Sequence, residues 1–188
     1  MHEDWSHLVE GWHEFFLLIG TAGLTLTGLL FVVVSLGPRV VAGSPETGLR
    51  AFITPNVFYF STTLIVSAVL LIPPLSPLLI GTFLCVGSLG SLGYLVYAGT
   101  HQQWRTSKLP AVDWVFYACL PTLAFVLLLV SGVGFFLGWS LSMHGVGLAL
   151  ILLLFAGIRN AWDLVIWMIQ HEPKSTGTND KKDSEQER

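Results

Sequence analysis

Charge is what this chain has least of: only 11% of its 188 residues are Asp, Glu, Lys or Arg. None occurs from Phe15 to Pro38, from Ala51 to Trp104 or from Trp114 to Ile158, and each window holds one or two runs of membrane-crossing length. A water-soluble domain, which carries about 25% charged residues, is thereby excluded. Nine Lys and Arg stand against twelve Asp and Glu, for a net charge of -3, so there is no basic footprint and nucleic acid is excluded as a partner. Cysteine is scarce as well. Cys85 and Cys119 lie in apolar runs with no second Cys or His at ligand spacing, which argues against a disulfide framework or a metal finger and leaves two buried thiols. HExxH, CxxC, repeated acidic motifs and Gly-rich phosphate loops are all missing, so no cofactor is implied and the chain is not expected to be an enzyme.

What is present is apolar sequence, 53% of the chain. The runs predict an all-α integral membrane protein, a five-helix transmembrane bundle preceded by an N-terminal interfacial amphipathic helix. The spans are placed at about 15–36, 53–72, 78–97, 114–137 and 146–165 within a membrane domain of residues 15–171. Residues 1–14 contain no Lys or Arg, so the first run is read as a true span and not as a cleaved signal. Pro73, Pro74 and Pro77 cannot continue a helix cleanly and mark a tight turn between the second and third spans. Pro55 is expected in the first turn of the second helix with Thr54 or its neighbour as cap, and Pro121 is expected to kink the fourth.

Five spans put Arg39, Arg50, Arg105, Lys108, Arg159, Lys174, Lys181, Lys182 and Arg188 on one side, the cytoplasmic side by the positive-inside rule. The N-terminus is then outside and the C-terminus inside. Trp12 and Trp139 fall at the outer edges, and Trp104, Trp114, Trp162 and Trp167 at the inner ones. On a helical projection of the first segment, Trp5, Leu8, Val9, Trp12 and Phe16 share one face, opposite Glu3, His7, Glu10 and Glu14. A solvated face is the expected use of that acidic side. The sharper alternative is a divalent-metal site of His7, Glu10 and Glu14, with His2 or His13 nearby. Residues 172–188 lack large apolar groups and are expected to form a disordered cytoplasmic tail.

Arg159 and Asp163 are the only charged residues embedded in a span, four apart on one helical face, with Asn160 beside them. Charges in lipid cost about 2.5–3.5 kcal/mol each at mid-helix on insertion scales, so such groups face protein or water, or snorkel to the interface. Alternating span directions bring Asn56, Tyr59 and His101 to the same inner depth, making Arg159, Asn160, Asp163, Asn56, Tyr59 and His101 the candidate polar site. Small residues form stripes: Thr21, Thr25, Gly28, Val32 and Ser35 on the first helix, a glycine and serine series from Gly81 to Gly93 on the third, and a GxxxG at Gly134 and Gly138. Helix packing is the expected role of the stripes, and a pore lining the alternative.

The segments GLLFVVVSLGP (Gly28 to Pro38) and IRNAWDLV (Ile158 to Val165) resemble small uncharacterised bacterial multi-span inner-membrane proteins. The resemblance implies a bacterial inner-membrane location and no activity. Functionally, the residues favour an accessory or scaffolding subunit or a homo-oligomer, partnered by the bilayer and by its own copies or another membrane protein. The alternative is an oligomeric channel or small-solute carrier with a cytoplasm-facing polar vestibule, although inverted-repeat symmetry is absent.

Overall fold

The computed structural model of the chain describes the backbone of residues 2–36, 46–73, 75–101 and 118–170, and side chains within 10–35, 53–73, 75–97 and 118–166. Five α-helices make up these residues: α1 (His2–Leu36), α2 (Glu46–Leu70), α3 (Pro77–His101), α4 (Leu120–Phe136) and α5 (Ser142–Gln170). By length and composition α1, α2, α3 and α5 can each cross a membrane, while α4, at 17 residues, is apolar but shorter. The chain is therefore an all-α, multi-pass membrane fold. Its outer surface agrees: Leu18, Val86 and Val96 are each 67% exposed, a surface that lipid covers and water would not.

Close approaches between helices give their directions. Gly20 lies against Ser67 and Gly23 against Thr63 and the Phe60 carbonyl, so α1 and α2 run antiparallel. Gly81 lies against Gly132 and Phe135, and the Cys85 thiol reaches towards the Leu129 carbonyl, so α3 and α4 are antiparallel. Gly145 against Ser131 and Gly134 against Ser142 do the same for α4 and α5. Trp12 and Phe15, near the start of α1, touch Gly147, near the start of α5, so those two are parallel. Leu36, His101 and Gln170, the last residues of α1, α3 and α5, consequently lie at one end of the bundle with the first residues of α2 and α4. Both chain segments richest in basic residues between helices, 37–45 and 102–117, leave from that end.

Packing runs in the order α1, α2, α5, α4, α3, with α2 and α3 touching only lightly although they are sequence neighbours. α5 is the centre. Val146, Ala149, Leu150, Leu153 and Ala156 recur at helical spacing with no exposed surface, and they meet a core that includes Phe16, Phe60, Phe125 and Leu128.

Local chemistry explains the boundaries, and it corrects several expectations. α1 is a single helix of 35 residues, about 52 Å at ~1.5 Å per residue, with no break near residue 14. Its start is thus continuous with the first span. The amphipathic division holds for its described part, where Phe16 is buried and Glu10, His13 and Glu14 are exposed. Trp12 stacks on Phe16 at 5.7 Å and meets His144 edge-on at 4.9 Å, tying this segment to the first turn of α5. α2 begins at Glu46, so Pro55 is interior rather than in a first turn, and its missing N–H removes one backbone bond from the helix. Pro121, in contrast, occupies the first turn of α4, after a wider π-type stretch at 118–119. Ser76 caps α3 by accepting the Leu79 N–H at 3.4 Å, with Pro77 in the first helical position.

The stripes are sorted by the fold. Thr21, Thr25, Gly28, Val32 and Ser35 all face outwards, and the Thr25 and Ser35 hydroxyls donate to the Thr21 and Phe31 carbonyls. The stripe does not pack within the chain, and these two hydroxyls are satisfied by their own helix. Gly134 and Gly138 are not an interhelix GxxxG either. Gly138 has φ 69 just past the end of α4, and the Trp139 N–H donates to the Gly134 carbonyl at 2.9 Å, a Schellman ending.

Candidate functional site

Among the described residues, Asn56 on α2 and Asn160 on α5 are deeply buried polar side chains towards the end of the bundle where α5 finishes, with 0% and 1% exposure. Their similar level follows from helix geometry. The Phe60 ring lies on Gly157, where only a glycine leaves room for it. Asn56 is four residues from Phe60 and Asn160 three from Gly157, both towards the same end, so their levels differ by about 1.5 Å. Neither the amide nitrogen nor the oxygen of either side chain has a hydrogen-bond partner. Four such atoms at one level of the α2–α5 contact form an uncommon concentration, since buried polar groups are nearly always satisfied.

The other sequence candidates fall around this node. Arg159 Nη1 donates to Asp163 Oδ1 one helical turn on, and the two side chains retain 33% and 21% exposure. The pair sits on the flank of α5 beside the lipid-facing Ile158 and Trp162, whereas Asn160 and Leu164 face the core. The counter-charge within one turn neutralises the arginine locally, which removes most of the cost of its depth. Tyr59 is 2% exposed but turns towards α4, with its ring 6.5 Å from that of Phe125. Thr63, also fully buried, donates its hydroxyl to the Tyr59 carbonyl at 2.9 Å. His101 is the last residue of α3 at the same end, and its side chain lies outside the described residues. At ~1.5 Å per residue Tyr59 and Asp163 differ by about 7.5 Å in level, and the candidates divide into a buried carboxamide pair, a flank ion pair, an aromatic turned elsewhere and a helix end.

At the opposite end, Glu10 and Glu14 are exposed on α1, and the His7 side chain lies outside the described residues. No group of three His, Cys, Asp or Glu converges as a metal site among the described residues.

A second feature was legible only as a list of small residues. Because α2 and α3 barely touch, they leave a cleft of about 130 Å³ between them, open on one side and floored by Phe125 and Leu128 of α4. Thr62 on α2 and Gly87, Ser88 and Ser91 on α3 line it with Phe83 and Leu84. Thr62 and Ser91 donate their hydroxyls to the Phe58 and Gly87 carbonyls. Ser88 is 2% exposed and its hydroxyl has no partner. The sequence shows the same glycines and serines, yet nothing in it says that they border an opening.

Comparison with protein-family models, with curated proteins and with solved structures finds no match for this chain. The site therefore stands on its own chemistry. Carboxamides and hydroxyls donate and accept hydrogen bonds, and Arg159 and Asp163 are matched with each other.

Proposed function

We propose that this chain is a membrane protein that works by lateral association, as an accessory or scaffolding subunit or as a homo-oligomer. The observation that carries this reading is the outer face of α3. A Cβ added at Gly87, Gly90 or Gly93 would meet nothing within 4 Å, whereas Gly20, Gly23, Gly81, Gly132 and Gly157 are all pressed against neighbouring helices. Within a bilayer, glycines at helical spacing let another backbone approach, and lipid itself has no need of them. Three in seven residues of one lipid-facing helix mark a surface kept clear for a partner.

The same reading includes five spans in a bacterial inner membrane, with the N-terminus outside and the C-terminus in the cytoplasm. The alternating helix directions support it, since they bring the departures of the two basic interhelical segments to one end. Cysteines introduced near Met1 and near Arg188 should react with a membrane-impermeant maleimide from opposite sides of sealed vesicles. Association itself is tested by counting labelled chains per particle in native lipid nanodiscs. More than one chain, or a constant companion, is expected; lone monomers throughout would refute the proposal.

One observation favours the second reading, a channel or small-solute carrier: the unpartnered carboxamides of Asn56 and Asn160, which could receive a polar solute from the inner end. Proteoliposomes should then pass small solutes above the rate of empty vesicles, with the flux altered in Asn160→Leu. Equal leakage from loaded and empty vesicles would dismiss this alternative.

A further inference from the structure

We infer that the partner on the α3 face is a second copy of this chain, and that each copy inserts Val86 into the α2–α3 cleft of the other. The inference rests on the association reading above and adds the identity of the partner and the geometry of the contact.

The outer side of α3 is shaped like a saddle. Phe83 and Tyr94, 36% and 38% exposed, stand at its two ends, with Gly87 and Gly90 between them. At 100° per residue, the cleft borders one flank of this line and Val86, 67% exposed, projects from the other. Two copies in one membrane share an orientation, so a symmetric pair is related by a two-fold axis along the helices. That rotation carries the Val86 flank of each α3 against the cleft flank of the other, at the same depth. An isologous contact needs such a surface, bearing both a projection and the hollow that receives it.

Size and chemistry suit this occupant. A cleft of about 130 Å³ is close to the volume of roughly 150 Å³ in which a dry protein cavity holds benzene. One branched side chain fits there, and a whole helix does not. The cleft has one hydroxyl without a partner, that of Ser88. An acyl chain cannot accept a hydrogen bond. A helix bared by glycines brings exposed backbone carbonyls, each with a second lone pair to offer. Between Ala51 and Trp104 neither helix bordering the cleft carries a charge, so two identical faces meet without repulsion.

The test is energy transfer between donor- and acceptor-labelled copies of the full chain in phosphatidylethanolamine/phosphatidylglycerol vesicles. A Cβ added at Gly90 meets no atom within 4 Å, so Gly90→Leu starts into open space and is expected to fold and to obstruct a partner, with retained helicity checked alongside. Self-association in Gly90→Leu should weaken by at least about tenfold, the effect of losing one good interhelix contact. Val86→Ala should weaken it in the same direction. Gly28→Leu, at an equally open glycine on α1, should leave it unchanged. Absence of transfer above the level of diluted controls overturns the inference. So does equal behaviour of Gly90→Leu and Gly28→Leu, which would leave the cleft to lipid. A photocrosslinker at position 90 that joins the chain to a different membrane protein and not to itself overturns the second copy while leaving the association reading intact; joining to nothing removes both.

Discussion

Replacing Asn56 and Asn160 by leucine, singly and together, probes the most unusual feature of the interior. The two carboxamides lie at a similar level of the α2–α5 contact, buried and without hydrogen-bond partners. Leaving one buried donor or acceptor unsatisfied costs about 1–3 kcal/mol, so the four atoms of the pair stand to lose roughly 4–12 kcal/mol if nothing answers them. Rotation about χ2, a broad torsion in asparagine, turns one carboxamide towards the other at little expense. Hydrogen bonds between helices within bilayers contribute about 0.6 kcal/mol on average and up to roughly 1.7. A double-mutant cycle should therefore return a coupling of about 0.5–2 kcal/mol. The double variant should be at least as stable as the native chain, because two polar groups have been replaced by apolar ones of similar size. The assay is unfolding in mixed micelles by titration with a denaturing detergent, followed by helicity. Strictly additive single effects would show that the two side chains do not meet, and the register inferred from Phe60 and Gly157 would be wrong.

Other perturbations test separate contacts. Gly132→Ala puts a methyl 2.8 Å from the Cys85 sulfur and 3.1 Å from the Gly81 carbonyl; the overpacking should cost about 1–3 kcal/mol in the same unfolding assay. Ser76→Ala removes the cap on α3 and should lower stability by about 1 kcal/mol, with exchange of the Leu79 amide accelerated in hydrogen-exchange measurements. Arg159→Leu leaves Asp163 without its i+4 partner, but both are partly exposed, so the loss should stay within about 1 kcal/mol and shrink as salt is raised. Thr25→Val on the outward stripe of α1 should change stability by less than about 0.5 kcal/mol; a larger loss would mean that this stripe is covered after all.

Much of the architecture could be read from punctuation. Pro77 after Ser76 announces the start of α3, and Gly138 announces the end of α4, because each residue has a backbone property that few conformations accept. Pro55 misleads for the same reason in reverse: a proline tolerated within a helix looks like one that begins it, and the longer α2 becomes visible only when its first turns are seen. The polar residues near the end of α5 were also legible, since Arg159, Asn160 and Asp163 interrupt an apolar run. Their division into a buried node and a flank pair was not. Residues 159 and 160 differ by 100° around the helix, and only the position of α2 shows which of them faces inwards.

By itself, the sequence determined the membrane class, the approximate positions of the helices, and the end of the bundle where charge and carboxamides gather. Those properties depend on runs of apolar residues and on rare charges, and lipid enforces both whatever the packing. Only the tertiary structure decided that α5 is central, that the α1 stripe faces outwards, that Asn56 meets the level of Asn160, and that α2 and α3 part to form a cleft. The physical reason lies in the solvent. Hydrocarbon and protein interior are both apolar, so a transmembrane helix has no strong contrast between its faces, and small residues suit a neighbour inside the chain as well as one outside it.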